Sequence, residues 1–304
     1  MKIAYIVFAY KNPRLIQRIV EHLDCEEASF FFHIDAKVPL SPFQAIRGRN
    51  IFFTEQRIPV YWAEFSGVEA ILLLIRLALA APQRHDYFVL LSGSEFPLRS
   101  RDYIHKFFEQ NRGREFITMM KMPAPGKPLS RLNTLRFPST RPVLRFVFRA
   151  LAKIGLAQRD YRKTFGNLEP YSGVTWWALS REACEYINEF TQRDQALAKF
   201  CRNIHAPEET FIHTIIGNSP FGARRRRNLN YEEWLPRGPQ AHPEMIGEKH
   251  LELFASQNEV TIKDHHGPGE LLFARKFSDA DLPLVDKLAA IIAKKENLPA
   301  RSTH

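Results

Sequence analysis

Hydrophobic and polar positions change rhythm several times along the first 120 residues. Ile3–Tyr10 is a short apolar run rich in β-formers and predicts a buried strand. Asn12-Pro13 supplies an N-cap and a proline suited to the first helical position. Leu15, Ile16, Ile19 and Leu23 follow at helical spacing. Ser29–Ile34 and Asn50–Thr54 read as strands, Glu64–Ala81 as a long apolar helix, and Tyr87–Leu91 as a buried strand closed by Ser92-Gly93. Arg101–Gln110 reads as a helix and Phe116–Met122 as a strand. Such alternation predicts an α/β fold, with a mostly parallel central sheet and helices on both faces. Ligands of these sheets bind at the carboxyl ends of strands, so the segments after Ala9, Ile34, Thr54 and Leu91 are the places to search.

From Pro123 to Pro170 the texture changes. Prolines at 123, 125, 128, 138 and 142 mark a loop, and a helix is expected over Pro142–Ala157. It sets Arg141, Arg145, Arg149 and Lys153 on one stripe, with Val143, Leu144, Phe146, Val147, Phe148, Leu151 and Ile154 between them. The expectation is a helix packed on the core by its apolar side with a solvated basic edge. The other reading is an interfacial anchor or a seat for an acidic acceptor. The chain therefore divides into a first half (1–122), a basic loop and helix insertion (123–170), a second half (171–277) and a C-terminal helix (278–304), within one domain.

Composition narrows the function. Of 304 residues, 45% are hydrophobic and 25% charged, which excludes a disordered chain. Cys25, Cys184 and Cys201 have no C-x-x-C spacing, which excludes a disulfide framework or a cysteine zinc knuckle and fits a reducing compartment. A net charge of +10 favours anionic partners: nucleic acid, a nucleotide, an acidic glycan or a membrane surface. No apolar stretch approaches the roughly 20 residues that span a bilayer, and no signal peptide is expected. The expectation is a soluble, cytoplasmic protein touching membrane only at its surface, on the inner face.

Several motifs are missing: G-x-G-x-x-G, G-x-x-x-x-G-K-[ST] and G-x-S-x-G. Asp35 ends the second strand, where a carboxylate either caps a turn or accepts hydrogen bonds from a base or ribose. His33 and Asp35 share a strand face but lack the partners a metal site needs. Glu208 and Glu209 follow Pro207 at a helix start, as capping acids or, for one of them, a general base. Arg275-Lys276 could neutralise a diphosphate. Asp279-x-Asp281 reads better as a helix cap before Leu284 and Leu288 than as a Mg²⁺ site. Arg224–Arg227 reads as a solvated face, since nucleic-acid binding would want interleaved aromatics and a module. A non-catalytic basic protein that binds nucleic acid or an anionic membrane is the competing class.

In order, Ile3–Tyr10, Phe32–Lys37, Val60-Tyr61-Trp62-Ala63, Tyr87–Pro97, Tyr171–Ser180, Pro207–Thr214 and Phe273–Phe277 resemble the motifs of the core-2/I-branching glycosyltransferase family. That family contains branching β-1,6-N-acetylglucosaminyltransferases and peptide O-xylosyltransferases. The resemblance implies a GT-A-like, Rossmann-like nucleotide-sugar fold that inverts the anomeric centre without a metal or other cofactor. It implies a UDP-sugar donor (GlcNAc, xylose or galactose) and a glycan or lipid-linked glycan acceptor, in bacterial surface polysaccharide synthesis. The base falls on Glu209, not Glu208. The donor side falls on Val7, Ala9, Asp35, Trp62, Arg275 and Lys276, and the acceptor side on Glu95, Thr175 and Trp176. Departures stand out: Thr175 replaces an acidic residue, and His242-Pro243-Glu244 stands where members have His-Pro-Arg. A lost phosphate contact would then fall to Arg237 or Lys249.

Overall fold

The computed structural model describes residues 1–234, 242–257, 259–264 and 266–296. The opening apolar run forms strand β1 (Ile3–Ala9), and Pro13 starts helix α1 (Pro13–Leu23), whose Leu15, Ile16, Ile19, Val20 and Leu23 are buried. Strands β2 (Ala28–Ile34) and β3 (Ile51–Phe53), helix α2 (Phe65–Ala80) and strand β4 (Tyr87–Leu91) follow. All four strands run parallel, in the order β3-β2-β1-β4. Every residue of β2 is buried. Covered on both faces, it shows no polar alternation, as expected of a central parallel strand.

Alternation survives in which core each side chain joins. Tyr5, Val7, Phe30, Phe32, Val89 and Leu91 pack towards α1. Ala4, Ile6, Phe31, Phe88 and Leu90 pack towards α2 on the other face. Each large side chain buried in this way contributes about 1.5–3 kcal/mol. The expected α/β architecture, with helices on both faces, is therefore present.

Past β4 the sheet becomes mixed. Gly93 makes the turn into strand β5 (Glu95–Pro97) at φ +71, where an added Cβ would lie 2.7 Å from Ile16 Cδ1. Only glycine takes that conformation without strain. Helix α3 (Arg101–Gln110) leads to the segment expected as one strand, which instead divides into β6 (Glu115–Phe116) and β7 (Met119–Lys121). The break is at Thr118, whose hydroxyl donates to Asn228 Oδ1 at 2.8 Å while its carbonyl accepts the Val174 N–H at 3.1 Å. Strand propensity there yields to these long-range bonds.

Helix α4 (Pro142–Lys153) corrects the expectation made for it: none of its residues is buried. Its apolar residues divide: Phe148, Leu151 and Ala152 are half-buried, with Phe148 against Phe137 at 4.5 Å, whereas Val143, Phe146 and Val147 stay in water and the basic stripe borders an open cavity. Strand β8 (Tyr171–Gly173) pairs with β7, and β9 (Ala178–Ser180) runs antiparallel between β4 and β6. Helices α5 (Arg181–Arg193), α6 (Ala196–Cys201) and α7 (Phe211–Gly217) cover the α2 face. Strand β10 (Arg225–Arg226) closes the order β10-β6-β9-β4-β1-β2-β3.

The remainder returns to the α1 face. Strand β11 (Asn230–Glu232), helix α8 (Glu248–Ser256) and the ladder of β12 (Thr261–Asp264) with β13 (Gly267–Glu270) precede β14 (Phe273–Arg275), which joins β11 and β5 in a small second sheet. Helix α9 (Leu282–Glu296) packs Val285 and Leu288 into the same core. No described helix is long and apolar enough to cross a membrane.

Candidate functional site

The carboxyl ends of β1 and β2 and the loop entering α2 enclose a cavity of about 260 Å³. Its walls include Phe8, Ala9, Tyr10, Asp35, Lys37, Tyr61, Trp62, Glu64 and Glu208. Asp35 serves turn and cavity together: its Oδ1 accepts the Lys37 N–H at 2.9 Å, and Oδ2 lies 3.4 Å from Lys37 Nζ. That ammonium also donates to Val60 O and stands 4.4 Å over the Tyr61 ring. The Arg57 guanidinium donates to the Ile34 and Asp35 carbonyls at 3.0 and 2.7 Å, which fixes the backbone beneath. His33 is tied into the fold: its Nε2 accepts the Ile58 N–H at 2.9 Å, and burial lowers its pKa to about 4.

Trp62 stands 87% exposed at the mouth, edge-on to His205 with ring centroids 5.8 Å apart. Next to it Ala63 has φ +57, and its carbonyl accepts the N–H of Ala206, which has φ +51. Non-glycine residues rarely hold that region, so two joined by a hydrogen bond mark a strained junction. Beyond Trp62 lies a second, larger cavity of about 430 Å³. It is walled by Ala63, Glu64, His205, the Thr134–Pro138 loop and α4. Glu64 borders both cavities and accepts the Ser139 N–H at 2.6 Å, pinning that loop.

Pro207–Glu209 form one 3-10 turn ahead of α7, and there the two neighbouring glutamates part. Glu208 enters the first cavity, its Oε2 buried without a partner, and burial pushes its carboxyl up to about 7. Glu209 turns to Lys127 Nζ at 2.5 Å and Arg131 Nη1 at 2.7 Å, both on Oε2. Burial works to raise its pKa, but the two cations outweigh it and hold the carboxylate below its ordinary range. Its side chain is 29% exposed, and both cations sit on Oε2. Two carboxyls in sequence, driven apart in proton affinity, are the pattern that divides acid from base roles in active sites.

The expected cation pair divides as well. Arg275 is buried: its Nε lies 3.0 Å from Glu95 Oε1, its Nη1 donates to Glu232 at 2.7 Å, and its plane covers Trp176 at 4.4 Å. Those contacts use its charge inside the fold, so the Arg275 assignment to a diphosphate is corrected. Glu95 is corrected too. It is fully buried and accepts from Ser92 N, Ser92 Oγ and Ser94 N at 2.8, 2.8 and 3.1 Å, so it holds the β4–β5 turn and cannot reach an acceptor. Lys276 is different. Burial lowers its pKa, then Arg275 and Lys11, and no ion-pair partner for it lies among the described residues. It therefore presents an unneutralised charge beside Lys11, at the carboxyl end of β1.

Val7 lies wholly in the core, and Phe8 lines the cavity in its place. Ala9 and Trp62 do line it. Trp176 is buried between Phe8 and Arg275, with Thr175 half-buried beside it, so Trp176 supports the wall from behind. Lys249 Nζ is held by Glu244 and Glu233 at 2.9 and 3.2 Å and has no charge to spare for phosphate. Arg237 lies outside the described residues. Glu233, Glu244 and His250 bring ligand-type atoms within 4.8 Å of one another, and Lys249 pairs with both carboxylates. Asp279 accepts the Leu15 N–H at 2.8 Å and Asp281 accepts from Ser278 N at 2.8 Å, so both are caps. Of the arginine run, Arg227 pairs with Asp264 at 3.2 Å, while Arg225 and Arg226 form the exposed β10 edge.

A mostly parallel sheet with a cavity at its carboxyl edge defines an α/β domain, with that cavity where such sheets receive their ligands. The chain belongs to the Core-2/I-branching enzyme family, whose sequence model matches residues 3–255. It is 25% identical over 216 residues to "Xylosyltransferase oxt" of Drosophila pseudoobscura pseudoobscura, an alignment covering 68% of this chain and 23% of that protein. It is 20% identical to a human protein named "Probable beta-1,3-galactosyl-O-glycosyl-glycoprotein beta-1,6-N-acetylglucosaminyltransferase 7", over 70% of this chain and 49% of that one. The chain thus spans about a quarter to a half of the relatives it matches. The crystal structure of mouse xyloside xylosyltransferase 1 aligns over 75% of this chain and 87% of its own, at 11% identity and a TM-score of 0.33.

Proposed function

We propose that this protein is an inverting glycosyltransferase that moves a sugar from a UDP-sugar to a hydroxyl of a glycan acceptor. The observation that carries the reading is that Glu208 enters the Asp35 cavity while Glu209, the next residue, is held ionised by Lys127 and Arg131. In this reading Asp35 and Tyr61 receive the nucleoside, and Lys276 with Lys11 faces the diphosphate. Glu208, largely protonated below neutrality, donates to a hydroxyl of the donor sugar.

Glu209 takes the proton of the acceptor hydroxyl as its oxygen bonds to the anomeric carbon. The bond from that carbon to the UDP oxygen breaks with its electron pair leaving on UDP, and the configuration inverts. Lys127 and Arg131 keep Glu209 ionised, so Oε1 stands ready as acceptor, while the fixed charge of Lys276 meets the negative charge that gathers on UDP. A divalent ion is not assigned a role; the lysines carry that charge.

Thermal-shift titration with UDP, UDP-GlcNAc, UDP-xylose and UDP-galactose identifies the donor, and kinetics then test the base. Glu209→Gln is expected to keep UDP affinity and to lose about 10²–10⁴ in turnover, the usual yield of general-base catalysis. Near-normal turnover in that variant, or loss of turnover confined to Glu208→Gln, would overturn the assignment. Activity that vanishes in EDTA and returns with Mg²⁺ or Mn²⁺ would contradict the lysine account.

A further inference from the structure

Helix α4 is apolar on two sides: Phe148, Leu151 and Ala152 are half-buried towards the body of the protein, and a second apolar face, which an ordinary surface helix would not carry, stands in water. Val143, Phe146 and Val147 are 74%, 76% and 42% exposed, and Ile154 and Leu156 just beyond are 68% and 70% exposed. On the other side of the helix, Arg145, Arg149 and Lys153 face the body of the protein. With Arg136 and Arg202 they line the larger cavity beyond Trp62.

Glu69 neutralises Arg202 at 2.6 Å. Among the described residues Arg136, Arg145, Arg149 and Lys153 have no acidic partner, and the charges acting on Arg136 are Arg131, Arg149 and Arg145. Four uncompensated cations and an apolar face in water each call for a partner. An exposed apolar patch of this kind marks an interaction surface. Its immediate neighbours in the fold are cations rather than the polar rim of a protein–protein patch, and the whole chain carries +10. Charge and polarity together fit a surface that is apolar within and anionic at its edge.

We propose that α4 lies in the plane of an anionic lipid surface, its outer face entering the acyl boundary and its arginines taking lipid phosphates. A basic helix with one apolar face binds bilayers in this way, and each cation near the surface adds to the attraction. The cavity behind the helix then opens at the membrane, next to Trp62. Its use as the acceptor side rests on the transferase reading, whereas the docking does not.

Vesicle sedimentation tests it on the full chain. Vesicles of phosphatidylcholine containing phosphatidylglycerol should bind the protein, and pure phosphatidylcholine vesicles should not. The double variants Val143→Ser/Phe146→Ser and Arg145→Glu/Arg149→Glu should each weaken binding about tenfold or more. Both should keep the wild-type melting temperature, since the side chains are exposed or line an open cavity, and both should keep the UDP thermal shift. A failure of docking is thus separable from a failure of the donor site.

Wild-type protein that ignores phosphatidylglycerol vesicles would overturn the proposal. So would vesicle binding that survives loss of Val143 and Phe146, which would reduce it to general electrostatics. So, too, would a dimer in light scattering that the serine variant dissolves while vesicles are ignored, since the face would then belong to a second copy. Free pyrophosphate that displaces the protein from vesicles at ordinary ionic strength would point to a soluble anion and likewise sink the lipid assignment.

Discussion

Glu208 and Glu209 share a peptide bond and little else. Burial dominates at Glu208, with the Glu209 charge adding to it, and the folded carboxyl is pushed up to about 7 from an ordinary 4.5. The sign follows from linkage: the folded state holds this proton more tightly, so the contribution to stability is full below about 4.5 and is lost as pH rises through about 7. Glu208→Gln should remove that slope, and the variant should gain on the wild type in melting temperature above neutrality. Equal pH profiles for the two proteins would show that Glu208 is solvated after all. Donor KM in the wild type should rise over the same window, because the ionised carboxyl no longer donates to the sugar.

The neighbouring cations Arg275 and Lys276 make a second pair of opposites. Arg275, with Glu95 and Glu232, forms a buried ionic group in which all three side chains are no more than 10% exposed. Removing one member of such a group strands the other charges, at a cost of about 3–5 kcal/mol. Arg275→Ala should therefore lower the melting temperature strongly, whereas Lys276→Ala should leave it nearly unchanged and weaken UDP binding. Calorimetry with UDP titration reads both; a stable Arg275→Ala protein with lost UDP affinity would restore the arginine to the diphosphate.

Elements were legible where local pattern and burial agree. The strands Ile3–Ala9 and Tyr87–Leu91 and the helix Arg101–Gln110 match the reading from periodicity to within a residue. Two elements were not. Phe116–Met122 has a strand's composition, but the bonds that divide it at Thr118 come from Asn228 and Val174, which no local window contains. Helix α4 was legible as a helix, yet amphipathic spacing says only that two faces differ, not which one meets the core. Gly173 illustrates how tightly the divided region is built, since an added Cβ would lie 1.8 Å from Thr118 O and 2.8 Å from Met119 Cα. Those are backbone atoms and cannot yield. Gly173→Ala should part β7 from β8, and because Gly173 O accepts Lys127 Nζ at 2.8 Å it should also loosen the cations on Glu209. Stability should fall by more than the 1–3 kcal/mol or so of ordinary overpacking, and turnover should fall with it; unaltered melting and kinetics would contradict this close approach.

At the scale of the molecule, the α/β class and the family could be read from ordered motifs, and the carboxyl edge of the sheet does hold a cavity. The site's electrostatics could not. Lys127 and Arg131 stand 82 and 78 residues from Glu209 in sequence, in a stretch that reads only as loop. Likewise the acids that occupy Arg275 sit on two other strands, and adjacent basic residues in a sequence do not announce which one is already spoken for. What composition did supply was an expectation for the sign of the partner. Among the described residues, Arg136, Arg145 and Arg149 line the larger cavity without an acidic partner, which agrees in sign with the net charge of +10.

Trp62 carries one last consequence. Its indole stands in water on the wall between the two cavities, while Trp176 and Trp177 are buried and the exposed Trp234 lines neither cavity, so with Trp234 replaced by Phe it is a built-in optical reporter of whatever fills either side. Sugar or lipid arriving there would strip water from the ring and shift its emission to the blue. The sequence of arrival of the two substrates could then be followed in a stopped-flow instrument without attaching a dye.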